Sequence, residues 1–485
     1  MRESAPYESG MGGGPTEASA GLGPPWRDSA ARLGPTGDQM IAVAALIGLL
    51  GVGWLRAPDL ASALIVEGFQ LGFLAFSLWR IALILASQPR LSELVEPVVW
   101  PRYTVLVALY DEAEVVAQLI ARLSRIDYPA DRLEAFLLLE AHDRATIEAV
   151  DRVERPEWMS VLVVPPGRPG TKPRALNYGL AHATGELATI YDAEDHPDPG
   201  QLREAACRFM AGGAERLACL QAPLRIRRRG APRFASPFLD RQFAVEYAAL
   251  FEVALPGMAR LGLPFPLGGT SNHFRVDVLR DVGGWDAFNV TEDADLGFRL
   301  WRRGWRLGVL SSPTWETPPG GLNSWLPQRT RWLKGYMQTW GVHTRRLDGL
   351  GLRGGIALLT TLGGGLVAAG IHAVTLAWVL VSVLIATASG LPPSATGLTL
   401  SVLGVGTAAA WLQGAIGARK AGGRYSVTDM LSSPAYWSLL SLAFIHAAWR
   451  LIREPHAWDK TAHHRDGDET AIGASVALDA GRQPA

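Results

Sequence analysis

Apolar and polar positions divide this chain into segments of different kinds. Residues 1 to about 38 carry no apolar periodicity and are rich in Gly, Pro, Ser and Ala, which predicts a disordered tail. Two apolar runs follow, Met40–Leu55 and Ala61–Ala86. A bilayer core takes about 20 helical residues, so residues 39–88 predict two transmembrane helices. The second must turn Glu67, Gln70 and Arg80 toward a helix neighbour or the interface. A buried helical hairpin of a soluble domain is the competing reading. The apolar stretch starts late and lacks a basic flank and a cleavage site, which speaks against a secretory signal peptide.

Residues 95–350 have ordinary globular character. Strand-like runs alternate with helical ones: Tyr103–Tyr110 then Val115–Arg125, Ala135–Glu140 then Ala145–Val153, Ser160–Val164 then Lys172–Ala183, and Leu187–Asp192 then Pro199–Met210. This βαβα order predicts a mostly parallel sheet with helices on both faces. Ligands of such sheets sit outside the carboxyl ends of the strands. Apolar character returns in 355–453, with candidates Gly355–Ser389, Leu398–Ile416 and Ser432–Trp449. The first is long enough for an interfacial helix plus a span, broken near Gly363–Gly365. The third is short and suits the interface. Arg345, Arg346, Arg353, Arg419, Lys420, Arg424, Arg450 and Arg453 flank these segments. Under the positive-inside rule the globular region and the tail, 454–485, are cytoplasmic, and four spans with an interfacial last stretch satisfy the pattern.

Composition narrows the picture. Hydrophobic residues make up 48% and charged residues 19% of 485 positions, and mean hydropathy is +0.12, apolar for a wholly soluble protein. Lys+Arg and Asp+Glu both number 46. Without a basic excess, nucleic acid is not an expected partner. Cys207 and Cys219 can form at most one bridge, which excludes a disulfide scaffold and a thiolate zinc cluster. Lysine occurs only at 172, 334, 420 and 460. In so arginine-biased a chain each lysine is a candidate for a shaped site.

Four clusters carry candidate chemistry. Asp192-Ala193-Glu194-Asp195 follows a strand, and carboxylates there suit a hard cation, Mg²⁺ or Mn²⁺, which takes oxygen ligands and shares them with phosphates. Acidic loop clusters can equally be solvated caps. Thr291-Glu292-Asp293 opens a helix-like run and reads either as an N-cap or as a catalytic base. Gln328-Arg329-Thr330-Arg331-Trp332, followed by Lys334, sets basic groups and an aromatic on a helix, for a phosphate and a sugar or for a membrane surface. Thr171-Lys172-Pro173-Arg174 with Asn177 follows a Gly/Pro loop into a helix start, where N–H groups attract anions. A solvated basic loop is the alternative.

In their order, DAED, TED and QRTRW, with TKPRALNYGL, LGGTSNHFR and the Trp458-Asp459-Lys460-Thr461-Ala462-His463 segment, resemble the processive family-2 glycosyltransferases, among them cellulose synthase-like bacterial exopolysaccharide synthases. The likeness runs from about Pro101 to Trp340. It implies an α/β GT-A (nucleotide-diphospho-sugar transferase) domain inserted between transmembrane helices of a multi-pass inner-membrane protein, with the catalytic domain cytoplasmic. It implies a metal-dependent, inverting hexosyltransferase that moves a sugar from a nucleotide-diphospho-sugar donor to the end of a β-linked polysaccharide, coupled to translocation and open to export partners. Carried over by position, Asp192, Glu194 and Asp195 match the metal and diphosphate motif. Asp293 matches the base, with Glu292 beside it and Arg331 as the leaving-group clamp. Gln328, Trp332 and Lys334 match the diphosphate and acceptor motif, and Tyr110, Glu112, Asp143, Lys172 and Asn177 fall at nucleotide-contacting positions. One departure stands out: His142 occupies a place where the family has an aspartate facing uracil. Polar groups Glu67 and Gln70, and Trp325, Trp332 and Trp340, are candidates to line a polymer path, and Phe238–Met258 to form a helix at its mouth. A lipid glycosyltransferase acting once, and an inactive scaffold of an export complex, are the alternatives.

Overall fold

A computed structural model describes residues 34–88, 94–226, 238–390 and 397–457. Most of the N-terminal tail and the Trp458–His463 segment with Lys460 lie outside the described residues. The chain opens with α1 (Gly37–Arg56) and α2 (Pro58–Ala86). Thr36 and Gln39 form a capping box at the start of α1.

The globular part then runs β1 (Tyr103–Leu109), α3 (Val116–Leu123), β2 (Leu133–Glu140), α4 (Arg144–Asp151), β3 (Met159–Val164), α5 (Lys172–His182), β4 (Leu187–Tyr191), β5 (His196–Pro197) and α6 (Gln201–Met210). It continues through β6 (Leu217–Gln221), β7 (Leu224–Ile226), α7 (Phe238–Ala249), a π turn at Leu250–Ala254, α8 (Leu255–Arg260), β8 (Asn272–Arg275), α9 (Val276–Asp281), α10 (Glu292–Arg302), β9 (Arg306–Val309), β10 (Thr314–Glu316) and α11 (Leu322–Thr344). Seven strands form one sheet in the order β3-β2-β1-β4-β8-β6-β9, and β5-β10-β7 form a small second sheet. β1 pairs in parallel with β2 and β4, whereas β8 runs antiparallel to both of its neighbours.

Side-chain alternation explains why this sheet is covered twice. Leu106, Leu138 and Ile190 face one layer, with Leu176 and Leu180 of α5. Val105, Val107, Leu137 and Leu139 face the other, with Leu119 and Ile120 of α3 and Leu202 and Phe209 of α6. Strands buried on both faces read as the near-continuous apolar runs seen in the sequence. The strand–helix alternation expected from periodicity is present through α6, with ends displaced by one or two residues. The antiparallel β8 was not legible, because its four residues, Asn-His-Phe-Arg, carry no strand pattern.

After α11 come α12 (Gly351–Leu358), a π turn at Leu359–Gly363, α13 (Gly364–Ser389), α14 (Gly397–Lys420) and α15 (Val427–Arg453). Among the described residues five helices are long and apolar enough to cross a membrane: α1, α2, the α12–α13 run, α14 and α15. The expected break near Gly363–Gly365 is a π turn inside a continuous helix. α15 is longer than the apolar stretch Ser432–Trp449, since its buried Asp429, Ser433 and Ser441 face protein.

Contacts orient these helices. Gln39 at the start of α1 donates to Gly341 O at 2.9 Å. Lys420 at the end of α14 donates to Ser87 O just beyond α2 (2.7 Å) and to Glu252 O of the first π turn (3.2 Å). These contacts tie one end each of α1, α2 and α14 to the globular part. α15 differs, because both its ends are held there. Arg241 of α7 pairs with Asp429 at 2.8 Å, and Lys334 of α11 donates to Glu454 O at 3.1 Å and Ala457 O at 2.6 Å.

His273 on β8 ties the sheet together. Its Nδ1 meets the Tyr103 hydroxyl at 2.6 Å and its Nε2 meets Gln201 Oε1 at 3.0 Å. Gln201 can only accept there, so the neutral Nε2–H tautomer satisfies both bonds. Burial holds the imidazole down to about 3 from 6.5. The unfolded chain takes up this proton below about pH 6.5 and the folded one does not. Stability from this group is therefore present above that pH and lost as pH falls toward 3, at about 1.4 kcal/mol per pH unit. Thermal unfolding in detergent between pH 7 and 5 checks this: His273→Gln lessens the acid sensitivity by one proton, and an unchanged slope refutes it.

Candidate active site

The carboxyl ends of β1, β2 and β4 lie side by side and carry the chemistry to one rim. Asp192 and Glu194 follow β4, Tyr110 and Glu112 follow β1, and Glu140 and His142 end β2. All six line one cavity of about 1570 Å³, together with Lys172, Glu292, Asp293, Gln328, Arg331 and Trp332. The three distant acidic and basic motifs of the sequence thus meet around a shared space.

The DAED turn is built tightly. Asp195 is fully buried, and its Oδ2 accepts from Asp192 N at 2.7 Å and from the Thr270 hydroxyl. Its Oδ1 has no hydrogen-bond partner among the described residues. Burial, then the charge of Asp192, pushes Asp195 up to about 8. Glu316, at the end of β10, lines the same cavity and is raised well above the carboxylate range by burial and by Asp195, Glu194 and Asp192. Lys172 is the cation seated among these acids. Its ammonium bonds Asp192 and donates to Gly269 O at 2.7 Å. Burial opposes its charge, yet Asp192, Glu292 and Asp195 outweigh that and hold its pKa above the usual value.

The residues present fit a divalent cation. Acidic charge exceeds basic charge at the rim, and one buried carboxylate oxygen is unsatisfied. Among the described residues no group of three or more His, Cys, Asp or Glu could hold a metal by itself.

TED and QRTRW are brought together by the docking of α11 on the loop before α10. Val290 N donates to Gln338 Oε1 at 3.2 Å, Asn289 Nδ2 to Thr339 Oγ1 at 3.0 Å, and Arg331 to Val290 O at 3.4 Å. Buried Asp295 then joins Arg299 (2.6 Å) to His343 of α11 (3.1 Å). Gly335 permits the approach, because a Cβ there would overlap the Thr291 side chain. Thr291 occupies the N-cap position of α10 without a side-chain capping bond, and Asp293 Oδ1 accepts from Ala294 N at 2.7 Å.

Several expected site residues do other work. Asn177 is buried off the cavity and clasps the Trp285 backbone, donating to its O at 2.8 Å and accepting from its N at 2.9 Å. Lys334 is 1% exposed and holds the residues after α15 rather than facing the cavity. Asp143 caps α4 through Thr146 N at 3.2 Å and accepts from Asp111 N, which supports the left-handed backbone of Asp111 (φ 55°). It shapes the turn beneath Tyr110 and His142, whose rings lie 5.5 Å apart. Arg174 is committed to Glu140 at 2.6 Å. Glu67 does not line the cavity; Gln70 does, tied to Thr399 at 2.7 Å.

Sequence reasoning missed Glu316, Tyr336 and Arg329, which also line the cavity. Arg329 pairs with Glu246 of α7 at 2.7 Å and stacks on Trp332 at 4.4 Å and Phe243 at 4.8 Å. Its signal was in plain view inside QRTRW, but the acidic partner lies 83 residues away.

A mostly parallel sheet with acidic strand ends, closed by a basic aromatic helix, defines a GT-A nucleotide-sugar transferase domain. Residues 101–335 match the family model described as "Glycosyltransferase like family 2". The probable glycosyltransferase YdaM of Bacillus subtilis is 25% identical over 238 residues, 48% of this chain and 55% of that protein. The beta-monoglucosyldiacylglycerol synthase of a Synechocystis strain is 27% identical over 281 residues, 55% of this chain and 56% of that one. Glucomannan 4-beta-mannosyltransferase 1 of Oryza sativa is 27% identical over 245 residues, 48% and 45% of the two chains. The chain spans about half the length of these curated relatives. Among solved structures, a mannosyltransferase from Pyrobaculum calidifontis in complex with GDP-Man and Mn²⁺ is similar at 18% identity and a TM-score of 0.49, over 80% of this chain and 97% of that one.

Burial and the Asp293 charge push Glu292 up to about 7, and burial raises Asp293 as well. Each protonates as pH falls through these raised values. A reaction that needs ionised Asp293 therefore gains rate with pH along a limb above the ordinary carboxylate range. Glu292→Gln removes the neighbouring charge and moves that limb to lower pH. A pH profile of kcat/KM checks this, and an unmoved limb refutes it.

Proposed function

We propose that this membrane glycosyltransferase transfers a hexose from a nucleotide-diphospho-sugar to an acceptor hydroxyl with inversion, the acceptor reaching the site from the membrane helices. The observation that carries the reading is the single cavity shared by Lys172, Asp192, Glu194, Asp293, Gln328, Arg331 and Trp332.

The donor base stacks against the Tyr110–His142 pair, with Glu140 at its edge. Lys172 and Arg331 attract the diphosphate. Asp192 and Glu194, with Asp195 behind them, would hold a divalent cation, Mg²⁺ or Mn²⁺, which would add positive charge for the leaving diphosphate. Asp293 takes the acceptor proton as the acceptor oxygen bonds the anomeric carbon. The bond from that carbon to phosphate breaks with its electrons leaving on the diphosphate, so an α-linked donor gives a β-linked product. Trp332, backed by Phe243 and Tyr247 at centroid distances of 6.3 and 6.0 Å, offers a flat face for a sugar ring.

The near ends of α1, α2, α13 and α14 rest on the globular part, and Arg345, Arg346, Arg353, Arg419 and Lys420 cluster on that side. This supports four spans, an interfacial α15 and a cytoplasmic catalytic domain at the inner membrane. Relatives named for a diacylglycerol product and for glucomannan bracket two acceptors, a lipid and a β-linked polymer.

Asp293→Asn should lower kcat at least about 10²-fold, the scale of general-base catalysis. Donor KM stays near wild type, since the substitution keeps the shape of the side chain. The assay is release of nucleoside diphosphate by purified protein with Mg²⁺ or Mn²⁺ across UDP- and GDP-sugars. Near-normal turnover of the variant overturns the role of Asp293, and no turnover of wild type with any donor overturns the function.

A further inference from the structure

The cavity does not end at the catalytic rim. It continues between the membrane helices α2, α13 and α14, and its total of about 1570 Å³ exceeds the about 300–1,000 Å³ typical of a small-ligand site. Its character changes along the way. Charged groups line the rim. Beyond the two π turns, Leu250–Ala254 and Leu359–Gly363, the walls are Phe69, Phe73, Val367, Val374, Trp378 and Val402. π turns recur at functional sites in helices, and here both face the same space.

Helix packing explains the slot. α2 packs on α14, and α13 packs on α15. The two pairs meet at Gly364, where a Cβ would overlap the Phe76 ring. Above that contact they leave the slot. Its walls are also surface: Phe69 is 54% exposed, Val367 49% and Val374 71%. Residues that both line the cavity and face outward mark a sideways opening onto the apolar belt of the helices.

A polar sugar chain in this slot would need hydrogen-bonding partners along its length. Several of the polar side chains there already bond within the protein: Gln70 to Thr399 at 2.7 Å, Arg80 to Gln413 at 3.3 Å and His372 to Pro434 O at 3.2 Å. An acyl chain needs none. At the inner end the slot meets Glu246, Glu292, Asp293 and Glu316, and Arg329 is neutralised by Glu246. With Arg329 already paired to Glu246, this mouth suits a neutral hydroxyl.

We propose, building on the transferase reading above, that the acceptor is a membrane lipid with a neutral hydroxyl headgroup, entering sideways between α2 and α13 with its acyl chain in the slot and its hydroxyl at Asp293. The slot then holds the lipid in register with the donor, and one sugar is added at the membrane face.

Purified full-length protein in nanodiscs, supplied with labelled UDP- and GDP-sugars, tests this with three acceptors: diacylglycerol in the bilayer, polyprenyl phosphate in the bilayer, and soluble β-linked oligosaccharides. Sugar on diacylglycerol is the expected result. Sugar on polyprenyl phosphate or on oligosaccharides instead, or donor hydrolysis without a lipid product, overturns the lipid acceptor and leaves the transferase reading standing. No donor consumption at all overturns both. Ala368→Trp, at a small slot-lining position of α13, should raise the KM for the lipid at least about tenfold, with Val374→Trp as a second variant at an exposed slot position. A wild-type lipid KM in both overturns the slot.

Discussion

Like charges gathered at the edge of one sheet are the constraint on which this molecule turns. Parallel pairing of β1, β2 and β4 puts their carboxyl ends on one rim, and the chain places carboxylates at each end. Asp192, Glu194, Asp195, Glu292, Asp293 and Glu316 then share a desolvated neighbourhood in which Lys172 is the cation bonded to Asp192. Raised carboxylates follow directly from that crowding. An arrangement so unfavourable for the protein alone is favourable for a ligand that brings positive charge with its own phosphates. The proposed metal–diphosphate ligand would offset this crowding.

The rest of the structure holds that crowd in place. Asp295 locks α10 to α11 through Arg299 and His343, and buried ion pairs of this kind are costly to break on one side. α11 in turn carries Arg329 to Glu246 on α7 and to Tyr436 on α15. One helix therefore contacts the loop before α10, α15 and α7. The same helix carries Gln328, Arg331 and Trp332, which line the cavity.

Much of this was legible in the chain. Both-face burial makes β1, β2 and β4 read as apolar runs, and the motif order put Asp192, Asp293 and Arg331 in one site before any coordinates. Of the two lysines in the candidate clusters, Lys172 lies in the cavity, whereas Lys334 holds the residues after α15. Asn177 and Asp143 show the limit of carrying residues over by position, since both build the backbone that presents others. Glu316 and Tyr336 had no local signal, because short strands and helix faces do not announce what lies across from them.

The sequence by itself determined the periodicities, and with them the parallel sheet, the membrane-capable helices and the residues able to do chemistry. These depend on local spacing, which a chain carries wherever it goes. Tertiary structure alone decided which carboxylates crowd together, which cations are already paired, and that two helix pairs diverge above Gly364 and Phe76 to leave an apolar slot beside the catalytic rim. Those outcomes depend on desolvation and on contacts between residues hundreds of positions apart, and no local pattern encodes either.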